Sequence, residues 1–270
     1  MTVYDHQTLR TSAEMAAVAE LAYIDDDGSP RIETLTPLLL QKEPVFALTY
    51  DRIDLARKLE KRPEVSMTFS DSRLARVGWS PLAVEGKMEV VPDAEGDTFL
   101  DELLYWELRK FWPSRQLIGS LVLQRDNWWY VPRLILRFTE TDVPRPIARR
   151  AEPHHGVLAW RQDRGIASDT VRVADWEAEG PLVEPISQEA SLPGDARSVL
   201  LYHDFSVPDL EQRATLHVAG HLSNGRLHDT RREGTRSLGK RPGIVARWRA
   251  QKELERDCKA GLKDSHWGEG

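Results

Sequence analysis

The sequence has one cysteine in 270 residues, Cys258, so an internal disulfide and any site built on paired thiolates are excluded. A lone thiol fits a reducing cytoplasm. Cys258 sits in a Lys/Arg/Glu-rich tail with no base implied beside it, and it reads as incidental rather than nucleophilic. No apolar run approaches the roughly 18 residues that a membrane span needs. The N-terminal MTVYDHQTLR lacks the basic-then-apolar signature of a secretion signal. The formal net charge of −6 gives no general attraction for nucleic acid or anionic lipid. Gly-x-Gly-x-x-Gly, P-loop, His-Glu-x-x-His and paired Cys-x-x-Cys patterns are absent, which argues against a Rossmann enzyme, a P-loop NTPase and a zinc finger.

What is present is an ordinary globular composition, 40% hydrophobic and 30% charged, long enough for two modest domains or one large one. Thr11-Ser12-Ala13-Glu14 is a capping-box pattern and predicts a short helix over Ser12–Ala19. Leu21–Ile24 is a compact strand, and Asp25-Asp26-Asp27-Gly28 is a turn. An EF-hand would need a Glu twelve residues on, where Thr36 stands, so the three aspartates are a solvated turn. Arg31–Leu40 alternates as one long strand, with Thr34 and Thr36 on one face. Pro37 inside it implies an edge position or a bulge. Val45–Thr49 is a third strand. Asp51 is a candidate cap for a helix with Ile53, Leu55, Ala56 and Leu59 on its apolar side, stopped by Pro63. Val65–Phe69 and Leu82–Val91 are further strands. A helical segment follows Pro92-Asp93, with Trp106, Phe111 and Trp112 expected in a core or an interface. Then comes a strand over Trp128–Thr139.

Val143–Pro153 has linker composition. Beyond it the first segment recurs in worn form. Val65–Phe69 pairs with Val199–His203, and Val84–Met88 with Val218–Leu222, both at an offset of 134 residues. Leu21-Ala22-Tyr23 resembles Leu158-Ala159-Trp160, and an acidic Gly-bearing turn follows in each copy. The second copy has PLVEPISQEASLPGDA where the first has the helix of Arg52 to Lys61, so it reads as a partner that has lost its own site. From Gly239 a basic helical tail carries a sparse apolar stripe, expected to dock onto the rest. On a strand His217 and His221 stand about 13 Å apart, too far to share an ion. His154 and His155 would point to opposite sides if extended. All four read as structural or surface residues, and no metal site is expected.

The order of strands, Gly turn, third strand, short helix ending at Pro63 and Val84-Glu85-Gly86 strand resembles the pyridoxamine 5'-phosphate oxidase-like split β-barrels. A Val131-Pro132-Arg133 strand after a helix also fits that pattern. The resemblance implies a mainly β (α+β) fold: a split β-barrel, here duplicated in tandem as an intrachain pseudo-dimer. Its domains are residues 1–143, a linker at 144–153, a degenerate copy at 154–238 and the tail at 239–270. It implies FMN, with F420 or haem as alternatives, held between two barrels. The reaction implied is flavin-type oxidoreduction of a small molecule; a non-catalytic haem-binding or scaffold role is the other reading. By position, Thr34, Thr36, Thr49 and Ser70 are candidates for ring and ribityl contacts, and Arg52, Arg57 and Arg73 for the phosphate. The Arg-Lys pair that commonly holds that phosphate is replaced by Asp54-Leu55. With the pairing face covered internally, the chain is expected to be a monomer, or a dimer through another surface, with no nucleic-acid or membrane partner.

Overall fold

The computed structural model describes residues 4–110, 129–207, 210–239, 241 and 243–265. Helix α1 (His6–Met15) starts earlier than the capping box implied. Asp5 is the cap, accepting from Thr8 N at 2.8 Å, while Ser12 lies inside the helix and donates to Ser80 O at 2.8 Å. Strands β1 (Ala19–Ile24) and β2 (Pro30–Leu35) form a hairpin whose turn places Gly28 at φ 78°, a conformation open to glycine. The single long strand expected over Arg31–Leu40 is two. It breaks at Thr36-Pro37, and β3 (Leu38–Leu40) pairs with β4 (Glu43–Leu48) instead of β1. Pro37 has no N–H to give a ladder, and its carbonyl accepts from Lys110 Nζ at 2.6 Å. A 3₁₀ turn (Tyr50–Arg52) leads into α2 (Ile53–Lys61), which buries Ile53, Leu55, Ala56 and Leu59 as the spacing predicted. The residue capping α2 is Arg52, without a side-chain bond; Asp51 is engaged elsewhere.

Strands β5 (Glu64–Phe69) and β6 (Leu82–Asp93) follow. A π-helical turn (Phe99–Leu103) then runs into α3 (Leu104–Lys110). Asp93 accepts from Thr98 N and Phe99 N and so starts that helix. Trp106 packs partly buried against the first core; Phe111, Trp112 and Trp128 lie outside the described residues. Strand β7 (Arg133–Thr141) completes the first barrel, with order β2-β1-β5-β6-β7-β4-β3. The Val143–Pro153 stretch does connect the two sheets, but it is tied down. Its strand β8 (Arg145–Pro146) pairs with β6, and Arg150 is 2% exposed.

The second sheet holds β9 (His155–Arg161), β10 (Ile166–Val173), β11 (Val183–Pro185), β12 (Asp195–Phe205), β13 (Arg213–Ser223) and β14 (Arg226–Gly234). Its order, β11-β10-β9-β12-β13-β14, repeats the β2-β1-β5-β6-β7 path of the first. The registers make the equivalence residue by residue. Leu21 faces Met67, which faces Val84; Leu158 faces Leu200, which faces Val218. Both strands carry a bulge near their Val-x-Gly, after it in β6 and at Gly220 in β13, and a Cβ on Gly86 or Gly220 would lie 2.3 or 2.5 Å from a carbonyl of the next strand. The fold is thus a tandem split β-barrel.

One expected correspondence shifts. The equivalent of Met67 is Leu200, so Val199 matches Ser66 rather than Val65. A slip of one residue swaps the faces of a strand. Val65 and Met67 point into the first core with Leu21 and Val84, and Leu158, Leu200 and Val218 into the second. Val199 and Leu201 face the other way. With Ala22, Ile24, Ile32, Val157, Ala159 and Ile166 they form the apolar seam that joins the two barrels. Beside this seam runs a buried polar network. Glu20 accepts from Thr68 Oγ1 (2.8 Å), Ser70 and His203 Nε2 (2.7 Å). Arg150 reaches Asp71 at 2.8 Å, the His203 carbonyl at 3.0 Å and the His203 ring edge, 2.6 Å from Nε2 and 3.0 Å from Nδ1.

The tail is helix α4 (Ile244–Asp264). It lies on the 3₁₀ turn ahead of α2 and buries Cys258 against Trp129 and Tyr130. No described helix is long and apolar enough to cross a membrane.

Candidate functional site

The break after β2 and the seam between barrels leave a cavity of ≈ 400 Å³. The first barrel supplies Thr34, Leu35 and Thr36 from β2 and its exit, Leu38 from β3, and Phe46 to Thr49 from β4. The second supplies Phe205, Leu210, Glu211 and Arg213; Leu254 of α4 closes one side, and Glu107, Tyr130 and Arg133 form the floor. The walls mix apolar side chains with three threonines, Tyr130 and four charged residues, Glu107, Arg133, Glu211 and Arg213.

Two of those side chains carry a polar atom with no hydrogen-bond partner among the described residues. Thr34 is 5% exposed and its Oγ1 is unpaired; Arg133 is 1% exposed and its Nε is unpaired. Buried polar atoms are normally satisfied, so each costs about 1–3 kcal/mol unless something in the cavity meets it. Arg133 is fixed from all other directions. Its guanidinium stacks on Phe99 at 3.7 Å and donates to the carbonyls of Tyr130, Val131 and Pro132, with Glu107 Oε2 at 3.9 Å. What remains is a buried Nε–H without a partner, on a side chain whose permanent positive charge has Glu107 beside it.

The structure gathers Thr34, Thr36 and Thr49 around this cavity, though Thr49 donates its hydroxyl to Asp51. Arg52 is not in the cavity lining and pairs with Glu33 at 3.3 Å. The other three candidates lie elsewhere. Arg57 is drawn to Asp264 of α4 (Nη1 to Oδ2 2.8 Å, Nη2 to backbone O 2.7 Å). Ser70 is buried in the Glu20 network, and Arg73 pairs with Asp71 (2.7 Å) and Asp204 (2.9 Å). Arg133 was legible only as part of Val131-Pro132-Arg133. Phe205, Leu210 and Arg213 carried no signal, because they come from the copy read as degenerate.

The N-terminus of α2, where the resemblance puts a phosphate, is closed. Helix α4 sits so tightly on it that a Cβ on Gly261 would fall 2.1 Å from Tyr50 O. Cys258 Sγ stands 3.8 Å from the Asp51 carboxylate, and burial pushes that thiol up to about 11. Asp51 and Asp54 add negative charge within the same turn. These residues fit no phosphate dianion at this helix end.

Among the described residues, the equivalent position on the other side of the pseudo-dimer is filled. Glu20 faces Thr34 and Val157 faces Thr170, so Thr170 is the second copy's Thr34. Its hydroxyl donates to Ala148 O at 2.9 Å. Arg149 lies over Trp79 at 5.7 Å, and Trp79 precedes Leu82 by the spacing that separates Arg213 from Leu216. The connecting segment therefore fills the equivalent second position among the described residues; a different, larger cavity of ≈ 640 Å³ lies between β5–β6 and the β9–β10 turn.

No family model matches the chain, and no curated protein matches it. Solved structures do. An F420 reductase shares 21% identity over 49% of this chain and 94% of its own, with a TM-score of 0.35. The haem storage protein HutZ from Vibrio cholerae shares 15% over 51% and 93%, with a TM-score of 0.31. The Agrobacterium tumefaciens protein Atu2129, of unknown function, shares 16% over 50%, with a TM-score of 0.32; this chain spans 52% of its length.

Proposed function

We propose that the inter-barrel cavity binds the ring of a flavin- or deazaflavin-type cofactor, and that the chain is a single-site member of the split-barrel oxidoreductase class. The supporting observation is the pair of orphaned polar atoms, Thr34 Oγ1 and Arg133 Nε, on residues that line the cavity between the two barrels. Phe46, Leu48, Leu38 and Leu254 suit the faces of a flat heteroaromatic ring. Arg133 Nε–H and Thr34 suit the carbonyl oxygens along its polar edge. Such a ring, when bound, supplies two-electron hydride exchange with a small substrate. The fixed charge of Arg133 favours the reduced, more negative state of any ring held there.

The cofactor's phosphate has no place at α2, so this reading departs from FMN as the natural ligand. Among the described cavity residues there is no His, Cys or Met, and only Tyr130 could ligate haem iron, which sets haem behind a flavin ring. Fluorescence titration of ligand-free protein with riboflavin and FMN tests the reading. Riboflavin should bind at least as tightly as FMN, and Thr34→Val should weaken both. A preference for FMN of a hundredfold or more would show that a phosphate is held after all. Failure to bind riboflavin, FMN and F420 would remove the proposal.

A further inference from the structure

The connecting segment enters the second barrel through Ala151-Glu152-Pro153-His154-His155. An extended chain would send the two histidines to opposite sides. Here the chain turns instead: His155 N donates to Glu152 O at 2.9 Å, and the imidazoles meet edge to face, centroids 4.7 Å apart at 79°. The turn is held on three sides. Val173 N donates to His154 O at 2.8 Å, Arg236 donates to Pro153 O at 2.9 Å, and His155 opens strand β9.

One ligand-type atom from each of Glu152, His154 and His155 converges, all within 4.8 Å of one another. Glu152 Oε2 lies 2.8 Å from His154 Nε2 and 3.9 Å from His155 Nε2. Bonds of about 2.0–2.1 Å around a tetrahedral ion put neighbouring donor atoms about 3.3 Å apart, and the two observed distances bracket that value. A second observation points the same way. His155 is 5% exposed, and its Nε2 is buried with no hydrogen-bond partner among the described residues. An ion pair between His154 and Glu152 alone would leave that atom unexplained.

We propose that Glu152, His154 and His155 form a three-ligand site for a divalent transition metal of the zinc type, with water in the fourth position. Two imidazole nitrogens and one carboxylate oxygen are the donor set of borderline ions such as Zn²⁺ and Co²⁺; Mg²⁺ and Ca²⁺ prefer oxygen alone. Binding expels a proton from His155 Nε2 and turns Nδ1 into the protonated nitrogen, at the expense of the long 3.5 Å contact from Ala151 N–H. The exposed Glu152 and half-exposed His154 close on the fixed His155. The bound ion then pins the end of the connecting segment to β9.

The test uses the full chain without a histidine tag. Titration with Co²⁺ alone should raise visible d–d absorbance that saturates at one ion per chain and is reversed by Zn²⁺. Losing an outer-shell partner costs about 10–100-fold in metal affinity, and losing a direct ligand costs no less. His155→Ala should therefore bind Co²⁺ at least tenfold more weakly. Because His155 is buried, Glu152→Gln and His154→Gln serve as exposed substitutions that leave folding intact, and each should weaken binding to a similar degree. His221→Ala, at an exposed histidine paired with Asp195, should change nothing. Equal Co²⁺ affinity in wild type, Glu152→Gln and His154→Gln, or a loss only with His221→Ala, overturns the proposal.

Discussion

Replacing Arg150 by Met probes the joint between the two barrels. The Arg150 side chain is 3% exposed, comes from the connecting segment, and contacts Asp71 of the first barrel and His203 of the second. Removing one partner of a buried pair costs about 3–5 kcal/mol. Asp71 keeps a second partner in Arg73, which places the expected loss at neutral pH near about 3 kcal/mol. The pH dependence is more specific. Burial and the Arg150 charge hold His203 below its ordinary range, so it stays neutral and donates Nε2–H to Glu20. Burial opposes ionisation of Glu20, but the His203 bond, the Arg150 charge and Ser70 outweigh it and hold its carboxyl below the usual range. Both depressions act in one direction. The unfolded chain takes up protons first, so wild-type stability falls as pH drops below about 6.5 and further below about 4.5. Without Arg150, His203 can take a proton and supply the lost charge beside Glu20. The destabilisation by Arg150→Met, measured by urea unfolding from pH 5 to 8, should therefore be largest at pH 8 and shrink toward pH 5. A loss under about 1 kcal/mol, or one that grows as pH falls, would refute this account of the network.

Gly261→Leu should undock α4 from Tyr50, and Cys258, shielded in the native protein, should then react rapidly with a thiol reagent at pH 8; equal slow rates in both proteins would contradict the docking. Burial pushes Lys110 down to about 7 from 10.5, so stability should rise with pH between those values, by up to about 1.4 kcal/mol per unit, and Lys110→Met should flatten that slope. Because the apolar faces of the two barrels cover each other, sedimentation should find a monomer near 30.8 kDa; a dimer joined through the first barrels of two chains would contradict the internal pairing.

Much of the fold was legible because its signals are local. Pro63 ends α2, Gly28 makes the first turn, and Val-x-Gly marks the bulged strand in both copies. The register of Val199 was not legible, since Val199-Leu200-Leu201 is apolar on both faces and only the seam between barrels separates the two sides. The strand threonines of the cavity could be found from alternation on β2 and the end of β4. Arg133 and Arg213 could not, because the cavity exists only once both copies are packed together. The docking of α4 was expected, but its face was only partly legible: Leu254, Cys258, Gly261 and Leu262 make the contact, while Val245 and Trp248 of the expected stripe stay exposed.

The most direct measurement of the central claim, one open ring-binding cavity between two copies of a barrel, is the stoichiometry of riboflavin binding in wild type and in Thr34→Trp. Equilibrium dialysis should give one riboflavin per wild-type chain and none for Thr34→Trp, whose indole fills the cavity. Two bound per chain, or undiminished binding by folded Thr34→Trp, would contradict it.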